Sequence, residues 1–154
     1  MKILKTGELA PDFKGVDQDE KSISLKDFKG NKVIIYFYPK DDTPGCTAEA
    51  CNLRDNYNDW INKGFIVIGI SPDSIASHKK FAEKYNLPFS LISDPDKEIL
   101  QAYNAWGEKK MYGKVYQGVL RKTFILDKNH KIEKIIEKVD TKDHTNQIFK
   151  ELKL

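Results

Sequence analysis

The sequence predicts an α/β layered protein, and three observations carry that reading. The runs Val33–Tyr38 and Phe65–Ile70 are apolar at successive positions, as in strands covered on both faces. Amphipathic helical stretches follow each of them, from Cys46 to about Ile61 and from Ile75 to Tyr85. Alternation of strand and helix implies right-handed parallel crossovers within one sheet.

The other elements take their places around this centre. Short strand-like pieces at Asp12–Val16 and Ser22–Leu25, separated by the polar turn Asp17-Gln18-Asp19-Glu20-Lys21, read as an N-terminal hairpin. A turn of helix at Lys26–Phe28 leads into the first buried strand. Gly64 ends the Cys46 helix, Ser71-Pro72-Asp73 introduces the next one, and Asn86-Leu87-Pro88 closes it. Phe89–Ser93 reads as a strand and Lys97–Tyr103 as a helix, while 104–118 reads as a polar loop holding Trp106. Val119–Asp127 and Ile132–Val139 are expected to pair as antiparallel strands, with Asp143–Leu152 as a closing helix.

Composition narrows the function classes. A chain of 154 residues with 40% hydrophobic and 32% charged content suits one domain with a real core. The net charge of +3 is spread over interleaved lysines and acids, with no dense basic run for nucleic acid. No apolar run reaches the length of a membrane span, and Met1–Gly7 lacks the apolar centre of a signal peptide, so a cytoplasmic protein is expected. His78, His130 and His144 are far apart and have no ligand-like spacing to a cysteine, so no metal is expected and each is read as an ordinary polar residue. The absence of a glycine-rich nucleotide motif argues against a flavin or nicotinamide cofactor.

Both cysteines lie in one stretch, Pro39-Lys40-Asp41-Asp42-Thr43-Pro44-Gly45-Cys46-Thr47-Ala48-Glu49-Ala50-Cys51. A buried strand delivers a tight loop, and the loop sets a thiol at a helix start. There the first N–H groups lack partners and the dipole is positive, which favours thiolate over thiol. Pro44 suits a first helical position and Thr43 an N-cap, while Gly45 lets a small ligand approach the backbone. Ala50, Leu53, Tyr57 and Ile61 share the helical face of Cys46, which places Cys46 at the head of a core-facing stripe. Cys51 faces Arg54, Asp55 and Asp59, the wetter side. Cα atoms five apart in an intact helix are separated by about 8.7 Å, whereas a disulfide needs roughly 4.4–6.8 Å. Joining these cysteines therefore requires the first turns to unwind.

This segment resembles the active-site motif of the peroxiredoxins, Pro-x-x-x-Thr-x-x-Cys, met by Pro39, Thr43 and Cys46. The second cysteine five residues on resembles the bacterioferritin-comigratory, or Q-type, subfamily. Ser71-Pro72-Asp73, the run 106–113 and Arg121-Lys122-Thr123-Phe124-Ile125 extend the likeness over nearly the whole chain. It implies a thioredoxin-like fold of peroxiredoxin type, an N-terminal hairpin and a central mixed sheet flanked by helices.

It also implies a thiol peroxidase that reduces hydrogen peroxide and organic hydroperoxides in antioxidant defence. Cys46 would be the nucleophile and Cys51 the resolving partner in an intramolecular disulfide, with Trp60 as a reporter of the opening. Arg121 matches the family's active-site arginine, Pro39 would shield the thiol, and the N–H groups of Gly45 and Cys46 would hold a substrate oxygen. Thr43 either supplies a hydroxyl to the substrate or only caps the helix. Glu49 either favours the helix dipole or orients Arg121. Electrons would come from thioredoxin, or from glutaredoxin or glutathione, and the protein would be a monomer or at most a weak dimer. The alternatives are a thioredoxin-like disulfide oxidoreductase, which would want Cys-x-x-Cys where Thr43 stands, and a non-enzymatic redox sensor.

Overall fold

The computed structural model describes residues 3–154; Met1 and Lys2, part of the segment read for a leader, lie outside them. β1 (Lys14–Val16) and β2 (Ser22–Ser24) form the expected hairpin, followed by a 3₁₀ turn at Leu25–Phe28. β3 (Lys32–Phe37), α1 (Pro44–Asp55), α2 (Tyr57–Asn62), β4 (Phe65–Ser71), α3 (Ile75–Tyr85), β5 (Ser90–Ser93) and α4 (Glu98–Ala102) come next. The chain ends with β6 (Trp106–Met111), β7 (Lys114–Val119), β8 (Lys122–Leu126), β9 (Ile132–Ile136) and α5 (His144–Leu152).

Seven strands make one sheet in the order β2-β1-β5-β4-β3-β8-β9. β3, β4 and β5 are parallel, while β1, β8 and β9 join antiparallel, so the sheet is mixed. Side chains of β3 alternate between two cores because strand side chains point to opposite faces. Val33, Ile35 and Phe37 pack with Ile70, Leu100, Tyr103 and Phe124 on one side. Ile34, Tyr36 and Tyr38 pack with Cys46, Leu53, Trp60, Phe81 and Ile148 on the other. Fully burying such a side chain contributes roughly 1.5–3 kcal/mol, which makes β3 the strand the fold can least spare.

Two expectations are corrected. The helix from Cys46 to Ile61 is broken at Asn56, whose φ of −109° and ψ of 14° leave the helical region. The Asn56 side chain donates to the Asn52 carbonyl at 2.8 Å, which satisfies that carbonyl without another helical turn. The apolar stripe therefore holds for Ala50 and Leu53, both fully buried, and then shifts. Trp60 takes the core position, Tyr57 is half-buried and Ile61 is 43% exposed. Second, the stretch 104–118 is not a loop. β6 and β7 form a separate antiparallel hairpin turned by Tyr112 and Gly113, both at positive φ (52° and 77°), as a two-residue mirror-image turn demands.

Candidate active site

β3 carries the chain to the carboxyl edge of the parallel strands, and the loop after it is held by α3 at two points. Asp41 accepts from the Tyr38 hydroxyl at 2.6 Å and the Ser77 hydroxyl at 2.7 Å, and lies 2.7 Å from His78 Nδ1. His78 Nε2 faces the Ile92 carbonyl at 3.1 Å. Both ring nitrogens thus stand within hydrogen-bond distance of an oxygen. Asp42, at a φ of 57°, accepts from Lys84 Nζ and the Tyr85 hydroxyl, each at 2.8 Å. Asp41, Asp73 and His78 lie close enough to hold a metal ion. Their atoms are already occupied by hydrogen bonds, since Asp73 Oδ2 accepts from the Asp41 N–H at 2.8 Å and the Ser71 hydroxyl at 2.7 Å. The network's chemistry is that of a clamp on the loop.

The clamped loop delivers Thr43 to the N-cap position of α1, with Pro44 at N1. The Thr43 hydroxyl does not cap the helix. It donates to the Lys40 carbonyl at 2.9 Å, so its oxygen lone pairs remain to accept from a ligand. Gly45 and Cys46 follow in the first turn, where backbone N–H groups have no intrahelical acceptor. A Cβ on Gly45 would stand 3.4 Å from Arg121 Nη2, so the guanidinium closes over this turn. Pro39, half-buried, follows the end of β3 and opens the loop.

Cys46 is 1% exposed and accepts from Arg121 Nη2 at 3.3 Å. The other arm of the same guanidinium donates to Glu49 Oε1 at 2.8 Å. One cation thus bridges the thiol and a carboxyl with 0% exposure. Burial pushes the Glu49 carboxyl up from 4.5 to about 7, although Arg121 pulls it back. Burial works against the charge on Arg121, yet the sulfur and the carboxyl together leave it held more firmly protonated than usual. Glu49 Oε2 has no hydrogen-bond partner among the described residues, and His144 Nε2 stands 3.5 Å away. His144 has 0% exposure, and burial lowers it from 6.5 to about 4. The Tyr36 hydroxyl is also buried without a partner, and burial followed by the charges of Glu49 and Cys46 keeps it neutral.

Cys51 is half-buried beside Arg54, and both cysteines are free. Burial raises the Cys51 thiol, with Arg54 opposing, so it rests as a thiol at neutral pH. A cleft lined by Asp42, Thr43, Pro44, Thr47, Ala48, Cys51 and Tyr85 opens on this side. Next to Cys51, Asn52 ties α1 to the start of α5, accepting from the Thr145 N–H at 2.8 Å and donating to the Lys142 carbonyl at 3.3 Å.

The structure brings Thr43, Gly45, Cys46, Glu49 and Arg121 together, with Pro39 at the start of the same loop and Cys51 on another face of α1. The sequence reading did not find the Asp41–His78 clamp or His144. All three histidines, read as ordinary polar residues, are buried and hydrogen-bonded. No sequence spacing signals such contacts, because Asp41 and His78 lie on separate elements, as do Glu49 and His144.

Comparison with known proteins agrees with this geometry. A model of the AhpC/TSA family matches residues 6–135. The chain is 41% identical over 150 residues to peroxiredoxin Bcp of Bacillus subtilis, covering 97% of this chain and 96% of that protein. It is 42% identical over 153 residues to peroxiredoxin Bcp of Escherichia coli K12, covering 99% and 98%. Among solved structures, a bacterioferritin comigratory protein of Xanthomonas campestris, studied for alkyl peroxide reduction, superposes with a TM-score of 0.88 at 31% identity over 97% of this chain and 98% of that one. A cysteine-to-serine mutant of Xylella fastidiosa PrxQ superposes with a TM-score of 0.90 at 27% identity, over 99% and 98%. The chain belongs to the AhpC/TSA family, with the thioredoxin-like fold of a peroxiredoxin and the peroxidase activity of that class. Among the described residues no helix is long and apolar enough to cross a membrane.

Proposed function

We propose that this peroxidase uses Cys46 as its nucleophile, and the observation that carries the reading is the 3.3 Å hydrogen bond from Arg121 to a sulfur at the start of α1. The Cys46 thiolate attacks the terminal oxygen of a hydroperoxide. The S–O bond forms as the O–O bond breaks, sulfur is oxidised to the sulfenic state, and the departing oxygen takes a proton to leave as water or alcohol. Arg121 supports the thiolate and the charge that develops on the oxygens. The N–H groups of Gly45 and Cys46 bind substrate oxygen at the helix end. Thr43, whose own proton is committed to Lys40, accepts the peroxide O–H. Pro39 screens the sulfur from bulk water.

Cys51 then condenses with the sulfenic acid, releasing water and forming an intramolecular disulfide that thioredoxin reduces. Glutaredoxin or glutathione is the second choice of reductant. We read the whole chain as one cytoplasmic, monomeric peroxidase unit. Since Thr43 stands where a disulfide oxidoreductase would carry its first cysteine, the peroxidase reading outranks that alternative and also the non-catalytic sensor.

The test is peroxide consumption with thioredoxin and its reductase as electron source. Cys46→Ser is expected to abolish turnover while the far-UV spectrum stays native. Cys51→Ser should retain the first peroxide reaction, lose thioredoxin-driven turnover and accumulate sulfinic Cys46. Mass spectrometry of oxidised protein should find Cys46–Cys51 within one chain. Turnover by folded Cys46→Ser, or a disulfide between chains, would overturn the scheme.

A further inference from the structure

Glu49, like the Tyr36 hydroxyl, is an unfinished contact in this site. One oxygen is bound to Arg121 at 2.8 Å, and the other, fully enclosed, has no donor among the described residues. An ionised oxygen left that way carries the full cost of desolvation. A protonated oxygen needs an acceptor instead, and the polar atom facing it is His144 Nε2 at 3.5 Å.

The tautomer of His144 follows from its neighbours. Gln147 Nε2 donates to the Lys138 carbonyl at 2.7 Å, and Gln147 Oε1 accepts from the Asp140 N–H at 2.8 Å, which fixes the amide orientation. His144 Nδ1, 2.9 Å from that Oε1, must therefore be the protonated nitrogen. In the neutral ring Nε2 is then a lone pair, and it accepts from the Thr123 hydroxyl at 2.8 Å. With the Thr123 hydrogen on that lone pair, no hydrogen lies between Nε2 and Glu49 Oε2, and two acceptor atoms face each other. One proton placed between them, on either atom, removes the conflict.

We propose that Glu49 and His144 hold one proton between them, and that His144 thereby acts as a positioning residue that leaves the full charge of Arg121 to the Cys46 sulfur. Its catalytic consequence rests on the reading of Cys46 as nucleophile. Were Glu49 ionised beside a neutral His144, it would share Arg121 with the thiolate, and two anions would compete for one cation. With the proton on the carboxyl, Oε1 still fixes the guanidinium and takes none of its charge; with it on the ring, the imidazolium offsets the carboxylate in place of Arg121. The groups facing Glu49 come from four elements: Cys46 on α1, Tyr36 on β3, Arg121 before β8 and His144 on α5. Of these Arg121 and Tyr36 do not titrate near neutrality, and His144 additionally feels Asp140. The raised Glu49 and lowered His144 agree with a proton lodged on the carboxyl side.

The test uses the reduced full-length protein. At pH 6, infrared difference spectra should show a protonated carboxyl that Glu49→Gln removes, or nitrogen-15 NMR should show His144 protonated at both nitrogens. An ionised Glu49 together with a bare His144 Nε2 would overturn the proposal. His144→Gln puts an amide donor toward Oε2 and so stabilises the carboxylate. It should lower both the thiolate absorbance and the peroxide rate by about tenfold near pH 6, the size of one pH unit of competition. A folded His144→Gln with unchanged absorbance and rate would also overturn it. Should that variant fail to fold, the wild-type spectra decide alone. Loss of the Cys46 reading would show instead as turnover in Cys46→Ser, with the infrared and NMR signals intact.

Discussion

Two buried carboxylate–histidine pairs flank the Cys46 loop, and they are finished differently. Asp41 and His78 meet at 2.7 Å, and both histidine nitrogens and both carboxylate oxygens are engaged. Glu49 and His144 stand 3.5 Å apart, with one carboxylate oxygen unmatched. A saturated pair holds a fixed geometry, and removing one member leaves buried polar groups without partners. An unsaturated pair has a place for a proton to come and go. The first therefore serves the loop's shape, and the second serves the charge around the sulfur.

Substitutions separate the two pairs, beginning with the largest effect. Asp41→Ala should cost about 3–5 kcal/mol of stability, because His78 and the hydroxyls of Tyr38 and Ser77 lose their partner; denaturant unfolding measures it. Arg121→Ala should slow the peroxide reaction by about 10²–10³-fold, roughly 2.7–4 kcal/mol. Its stability should hardly change in stopped-flow and thermal unfolding comparisons, because a protonated Glu49 tolerates the loss of its cation.

The third test concerns pH. Glu49 has its folded value raised from 4.5 to about 7, so its contribution to stability is full below 4.5 and is lost as pH rises toward 7. His144 has its folded value lowered from 6.5 to about 4, so its contribution is full above 6.5 and is lost as pH falls toward 4. The two slopes oppose each other, and folding moves a proton from histidine to carboxyl with little net uptake between pH 4.5 and 6.5. Glu49→Gln should uncover the histidine limb. Stability would then rise between pH 4 and 6.5 by about 3 kcal/mol, which is 2.5 pH units at about 1.36 kcal/mol each. A profile in Glu49→Gln as flat as the wild type would remove the distinction between the pairs. The smallest effect is expected from Asn52→Ala, which unties α1 from α5 at a cost of about 1 kcal/mol. Amide exchange in α1 should quicken about fivefold, with the clamp at Asp41 unaffected.

The parts of this molecule that could be read from sequence are those whose cause is local. β3 and β4 announce themselves by unbroken apolar runs, and α3 by its period and the Asn86 stop at a φ of 52°. Thr43, Cys46 and Glu49 share one helix start, so their proximity follows from spacing. The β6–β7 hairpin escaped because its turn is Tyr112-Gly113 rather than Asn-Gly, and because lysines and Glu108 mask the alternation. The break at Asn56 escaped because no proline or glycine marks it; a side chain bonded to the Asn52 carbonyl does the work. His144 lies on the last helix, and only tertiary packing carries it to Glu49.

The break at Asn56 also sets how far a chemical event at Cys46 can spread. In the proposed cycle α1 must unwind to let Cys51 reach its partner, and an unbroken helix would transmit that unravelling to Trp60. Here the 12 residues of α1 end before the indole, which has 0% exposure and packs on Phe65 and Phe149. α2 is a separate cylinder with its own footing in the core. Asn56 behaves as an expansion joint: on one side the backbone can be rewritten and restored at each turnover, while on the other the wall stands. Trp60, expected from the sequence to report the opening, is then better suited as the steady reference against which the movement of α1 is measured.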